Sequence, residues 1–215
     1  MKAKILVLVA GFSLRNCAAF LLSTMNIFKT KSEKYSNCDI LSMQSDSADS
    51  AVSITPGVII GGGRIGSYLY EINNGKDLLI SNRGTAVSPG GNGPIYICTR
   101  NNDLDAIIES IPIDRREDLV FLQNGILSEF LETKGLSDNT QALIYFAVSK
   151  KGEKPIDGKT DLNPEGLTAV TGKWGNDLAA RLNVGGLSCH VYDKKTWEIA
   201  MVITSRYVAI INKSN

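Results

Sequence analysis

One short stretch limits the folds open to this chain more than any other. Gly57-Val58-Ile59-Ile60 is an apolar run of the kind that makes a buried parallel strand. It passes directly into Gly61-Gly62-Gly63-Arg64-Ile65-Gly66, which fits G-x-G-x-x-G at Gly61, Gly63 and Gly66. Each glycine has a separate physical reason. Gly61 permits a tight turn, Gly63 lets the backbone approach a diphosphate, and Gly66 lets a helix pack closely on the strand. That helix carries Ile65, Tyr68, Leu69 and Ile72 on one face and stops at Asn73-Asn74-Gly75. Its amino end presents unbonded N–H groups and a positive dipole to an anion.

A second strand, Asp77–Ile80, follows at once. Pro94–Cys98 reads as a third, ending in Thr99-Arg100-Asn101-Asn102. A helix with Leu104, Ile107, Ile108 and Ile111 on one face comes next, then the strand Asp118–Leu122 ending in Gln123-Asn124-Gly125. A short helix and the strand Ala142–Val148 complete the pattern. This alternation predicts an α/β fold, a Rossmann-type doubly wound, mostly parallel sheet over residues 53–192. In such sheets ligands bind beyond the carboxyl ends of the strands. Gly61–Gly66, Asn82, Arg83, Thr99, Arg100 and Asn124 all fall there, all are candidate cofactor contacts, and Asn124 is also the candidate catalytic residue. Cys98, within a strand, reads as a small apolar filler. His190 reads as a half-exposed strand residue.

The end of the second strand bears on which dinucleotide is held. NAD proteins usually place an acidic residue about 20 residues beyond the first glycine, to bind the ribose hydroxyls. This chain has Ser81-Asn82-Arg83-Gly84 instead. A guanidinium pairs with a 2′-phosphate and stacks on adenine, so the sequence favours NADP over NAD. The same arginine disfavours an adenosylmethionine-dependent methyltransferase. Arg100 is open to cofactor phosphate, substrate carboxylate or plain solvent.

Charge excludes other classes. Lysine and arginine number 23 against 22 acidic residues, a net charge of +1, so no strong field draws the chain to nucleic acid or an anionic membrane. Cys17, Cys38, Cys98 and Cys189 are scattered without CxxC pairing, and His190 is the single histidine. A zinc site or disulfide framework is not expected. Residues 1–52 read as a leader. A basic start and an apolar stretch of about ten residues, too short for a bilayer, precede Cys17-Ala18-Ala19-Phe20. A Ser/Lys-rich linker follows. The Ala-Phe junction resembles the bipartite plastid-targeting leaders of algae with secondary plastids. Secretion and mitochondrial import are the alternatives, and no membrane span is expected in the mature form.

From residue 57 to about 205 the chain resembles the ketopantoate reductases. The resemblance rests on the glycine loop with its basic second-strand end, Arg100 where the family usually has lysine, and Gln123-Asn124-Gly125. It also rests on the segment Leu167–Gly172, with its helix and the Ser188–Tyr192 strand. It implies reduction of a small 2-oxo acid with NADP, with Asn124 touching both substrate and cofactor. The family's Trp-x-Lys-Leu-x-x-Asn pattern is broken, since Ile199 and Ile203 stand where Lys and Asn are expected after Trp197. Lys194 and Lys195 lie upstream on different helical faces. Residues 193–215 read as the helix that begins a missing or truncated helical domain. Its apolar positions Ile199, Val202, Ile203, Tyr207 and Ile210 suggest a homodimer or a further domain. The alternative function is an NADP-binding module without turnover.

Overall fold

In the computed structural model of the chain, residues 54–82, 85–159 and 166–201 are described. The expected leader, Arg83, and the apolar positions Val202, Ile203, Tyr207 and Ile210 lie outside the described residues.

The alternation read in the sequence becomes β1 (Val58–Ile60), α1 (Arg64–Ile72), β2 (Leu78–Ile80), β3 (Ile95–Ile97), α2 (Leu104–Ser110), β4 (Leu119–Phe121), α3 (Ser128–Thr133), β5 (Thr140–Leu143), β6 (Ala169–Thr171), α4 (Gly175–Val184) and β7 (His190–Val191). A further helix starts at residue 194. The strands form one seven-stranded sheet in the order β2-β1-β3-β4-β5-β6-β7. Pairs from β2 to β5 are parallel, β5 and β6 are antiparallel, and β6 and β7 are parallel. This is a Rossmann-type α/β fold. The chain leaves β1 toward β2 on one side and returns to β3 on the other, so a topological switch point lies at the carboxyl end of β1.

Both faces of the sheet are covered, which is why the strands read as unbroken apolar runs. Ile59, Tyr96 and Val120 point to one face and meet Tyr68 and Leu69 of α1 and Leu178 and Leu182 of α4. Ile95, Ile97, Leu119 and Phe121 point to the other and meet Leu104 and Ile108 of α2 and Leu131 of α3. Leu69, Leu131, Leu178 and Leu182 are wholly buried. Each such side chain contributes about 1.5–3 kcal/mol of burial. Trp197, the first large apolar residue of the helix from 194, packs with Ala169 and Met201 beside Leu143 and Tyr192.

One strand differs from expectation. The sequence placed it at Ala142–Val148, whereas the ladder occupies Thr140–Leu143. Alternation persists beyond it, with Ile144, Phe146 and Val148 buried in the core beside α1. The pattern reports one buried face, and that burial outlasts the hydrogen-bonded ladder. Past Leu143 the chain pairs with its own return, through mutual Ala147 and Ile156 hydrogen bonds of 3.0 and 2.8 Å. No helix among the described residues is long and apolar enough to cross a membrane.

Candidate functional site

The glycine loop closes the carboxyl end of β1. Gly61 has φ +108°, a conformation that side chains resist. A Cβ there would also meet the Cys98 carbonyl oxygen at 2.8 Å. The turn is fixed by Gly61 N–H donating to the Ile80 carbonyl at 2.8 Å. Gly66 is blocked by the Gly61 carbonyl, and a Cβ at Gly62 would lie 2.9 Å from that of Ser81. Gly63 alone in the loop looks onto open space, with nothing within 4 Å of a Cβ built there. The three motif glycines therefore divide into two that let elements approach and one that leaves room for a ligand.

Gly63 is the N-cap of α1, and no side chain caps this end. The first-turn amides of Arg64, Ile65 and Gly66 have no carbonyl within the helix to bond. Ser67 turns its hydroxyl back onto the Gly62 carbonyl at 3.2 Å, holding the loop against the helix. The result is a cradle of unbonded amides beside open space at the switch point, a candidate anion site.

The neighbouring strand ends contribute polar atoms. Gln123, 7% exposed, donates from Nε2 to the Ile97 and Thr99 carbonyls at 3.0 and 3.3 Å. This clamps the end of β3 beside the end of β4. Those two bonds fix the amide's orientation and leave Oε1 buried without a partner, as is Thr99 Oγ1. Buried polar atoms without partners are uncommon and costly. Sequence reasoning passed over Gln123 as a site residue, although it stands beside Asn124 in the same tripeptide.

Asn124 is exposed at the end of β4, where its Oδ1 accepts the Ile144 N–H at 3.2 Å. Among the described residues its Nδ2 has no hydrogen-bond partner. It is thus held by one atom and able to donate from the other to a carbonyl or carboxylate. Asn82 and Arg100 are exposed beyond β2 and β3. Arg100 also caps the 3₁₀ turn Asn101–Asp103, its carbonyl accepting the Asp103 N–H at 3.0 Å. The Cys98 thiol lies behind the loop and is pushed up to about 12 by burial, against the opposing charge of Arg181. A thiol so raised stays protonated and serves as filler.

The upstream lysines do not replace the absent one. β7 runs opposite to β5, so Lys194 sits at the far edge of the sheet, ion-paired with Asp138 just before β5. Ile199 is 42% exposed. A cavity of about 640 Å³ lies at this far edge, between Gln141, Thr171, Tyr192, Trp197 and Glu198. It contains none of the candidate cofactor contacts at the carboxyl ends of the parallel strands, although Lys194 and Trp197 line it. The cradle, the unpartnered acceptors and the switch point all lie at the other edge, and the candidate site is placed there.

No protein-family model matches the chain, and no curated protein matches it. Solved structures of similar fold include a dimeric ketopantoate reductase from Staphylococcus aureus (17% identity, 64% of this chain and 55% of that one, TM-score 0.41). An NADP+-bound yersinopine dehydrogenase is similar at 12% identity, over 63% of this chain and 47% of that one, with a TM-score of 0.41. D-mandelate dehydrogenase with NADH and anilino(oxo)acetate is similar at 16% identity, over 63% and 56%, with a TM-score of 0.40. The chain spans about half the length of these proteins.

Proposed function

We propose that the chain is an NADP-dependent oxidoreductase of the ketopantoate reductase kind, acting on a small 2-oxo acid or related carbonyl. The observation that carries this reading is the open face of Gly63 at the uncapped amino end of α1. There the chain's own amides would hold the diphosphate. Thr99 Oγ1 and Gln123 Oε1, buried and unpartnered, would take ribose or carboxamide donors. Arg83 would pair with the 2′-phosphate. When bound, the nicotinamide supplies the hydride. Asn124 would orient the substrate carbonyl by donating from Nδ2 while Ile144 fixes its other end. A small-molecule substrate, a homodimer through the helix from 194, and plastid delivery by residues 1–52 complete the proposal.

A second reading is an NADP-binding module without turnover. It is favoured by Ile199 in the catalytic lysine position and by the engagement of Lys194 with Asp138 at the far edge. Loss of a proton donor costs about 10²–10⁴-fold in rate. The full chain titrated with NADPH and NADH, then assayed for NADPH oxidation with a panel of 2-oxo acids, tests both. Turnover supports the oxidoreductase, binding without turnover supports the module, and no binding removes both.

A further inference from the structure

The glycine loop needs no arginine to work, yet Arg64 occupies the first position of α1. A cation is poorly placed there, because the helix end already carries partial positive charge. α1 has no acidic residue in its first turn and no side-chain cap to offset it. Among the described residues the guanidinium meets no carboxylate. Nη1 donates to two neutral groups, the carbonyls of Val148 at 3.0 Å and Ser149 at 3.5 Å. A guanidinium has five donors in a planar fork, and here Nε and Nη2 have no partner among the described residues. Two positive features therefore belong to adjacent positions, the helix end at Gly63, which faces open space, and the side chain of Arg64. Gln123 is more than nine-tenths buried nearby in the same strand-end cluster, and its Oε1 is unpartnered.

We propose that Arg64 is a two-sided clamp, its open N–H edge taking a phosphate oxygen of the dinucleotide while Nη1 keeps the Val148 and Ser149 carbonyls. The inference rests on the dinucleotide reading above and extends it to the side chain. The bridged segment is the one that holds Asn124. Residues 144–148 run from Ile144, whose N–H binds Asn124 Oδ1, to Val148 under Arg64, with the Ala147–Ile156 bridge between. Diphosphate binding would thus draw this segment onto the loop and steady Asn124. Arg64 is a positioning residue in this arrangement. An ammonium, a compact point charge without a planar fork, spans the two sides less well.

The test is calorimetry and peptide-level hydrogen exchange on the full chain with NADPH, comparing wild type with Arg64→Gln and Arg64→Lys. Arg64 is exposed, so both variants should melt with wild type. If Arg64→Gln melts early, Arg64→Lys alone decides. In wild type, NADPH should slow exchange at Ala147 and Ile156 as well as in the loop. Arg64→Gln should raise Kd about tenfold or more and lose the slowing at Ala147 and Ile156 while keeping it in the loop. Arg64→Lys should recover part of the affinity but not that slowing. If wild type binds but the variants match it in Kd, or still slow Ala147 and Ile156, the clamp is overturned and the dinucleotide reading stands. If wild type binds neither NADPH nor NADH, the dinucleotide reading falls and the clamp with it.

Discussion

A side chain at Gly66 would overlap the carbonyl oxygen of Gly61. The first turn of α1 lies so close to the exit of β1 that only a hydrogen fits between them. Gly66→Ala must push the helix off the strand. Overpacking of this kind costs about 1–3 kcal/mol, which for a domain of this size lowers Tm by roughly 2–4 °C per kcal/mol. Thermal unfolding of the variant should show the drop. A variant melting with wild type would mean that the two elements are not locked together there.

The charged pair Arg181–Asp77 is wholly buried, with the two side chains 2.6 Å apart. Arg181 also donates to the carbonyls of Leu69 and Thr55 and lies over the Tyr96 ring at 4.7 Å. Asp77 further accepts the Gly57 N–H and the Asn73 amide. The pair thus joins α4, α1, β2 and the chain entering β1. Asp77→Ala leaves a guanidinium buried without its counter-charge and should cost about 3–5 kcal/mol. The denaturant midpoint measures it. Replacing both by apolar residues, as Asp77→Leu with Arg181→Met, should lose less than the single change.

How much of this was legible beforehand follows from which contacts are local. The loop, α1 and strands β1 to β4 could be read because period, glycine placement and stop signals act over a few residues. The Arg181–Asp77 pair could not be read. Its members are 104 positions apart, and Asp77 looked like the polar first residue of a strand. Gln123 was hidden for the same reason, since its partners Ile97 and Thr99 belong to another strand. The reversal between β5 and β6 was also silent, because alternation records a buried face and not the direction of a neighbour. Burial without a ladder explains why the Ile144–Val148 segment was read as strand.

Cofactor choice is a prediction from Ser81-Asn82-Arg83 and not from the described geometry. Arg83→Ala should weaken NADPH binding about 10–100-fold, the worth of a lost charge-assisted hydrogen bond. NADH binding should change little. Calorimetric Kd values for both dinucleotides check this, and equal losses would remove the 2′-phosphate assignment.

Acid should act through Asp118. Burial raises its carboxyl, but donors from Lys173, Arg115 and Trp174 outweigh this and bring it below its ordinary value of 3.8. Oδ1 accepts from Lys173 Nζ at 2.8 Å and Trp174 Nε1 at 3.1 Å, and Oδ2 from Arg115 Nε at 2.9 Å. A depressed folded value means the stabilisation is present above the unfolded pKa and lost as pH falls through the folded one. Asp118→Asn should therefore be less stable than wild type near neutral pH, and the gap should close below about pH 4. Urea midpoints at the two conditions give the comparison.

Gly63 offers the most direct test, because it separates binding from folding. Its φ of −72° suits any residue, and nothing stands where a side chain would go. Gly63→Asp should fold at least as stably as wild type, since an acidic N-cap suits the helix end, while filling the cradle and adding a negative charge where the diphosphate belongs. Titration of NADPH into the full chain should release heat with wild type and none with Gly63→Asp, whose Tm should be no lower. Equal heats from the two proteins, or none from wild type, would contradict the claim that this loop holds a dinucleotide.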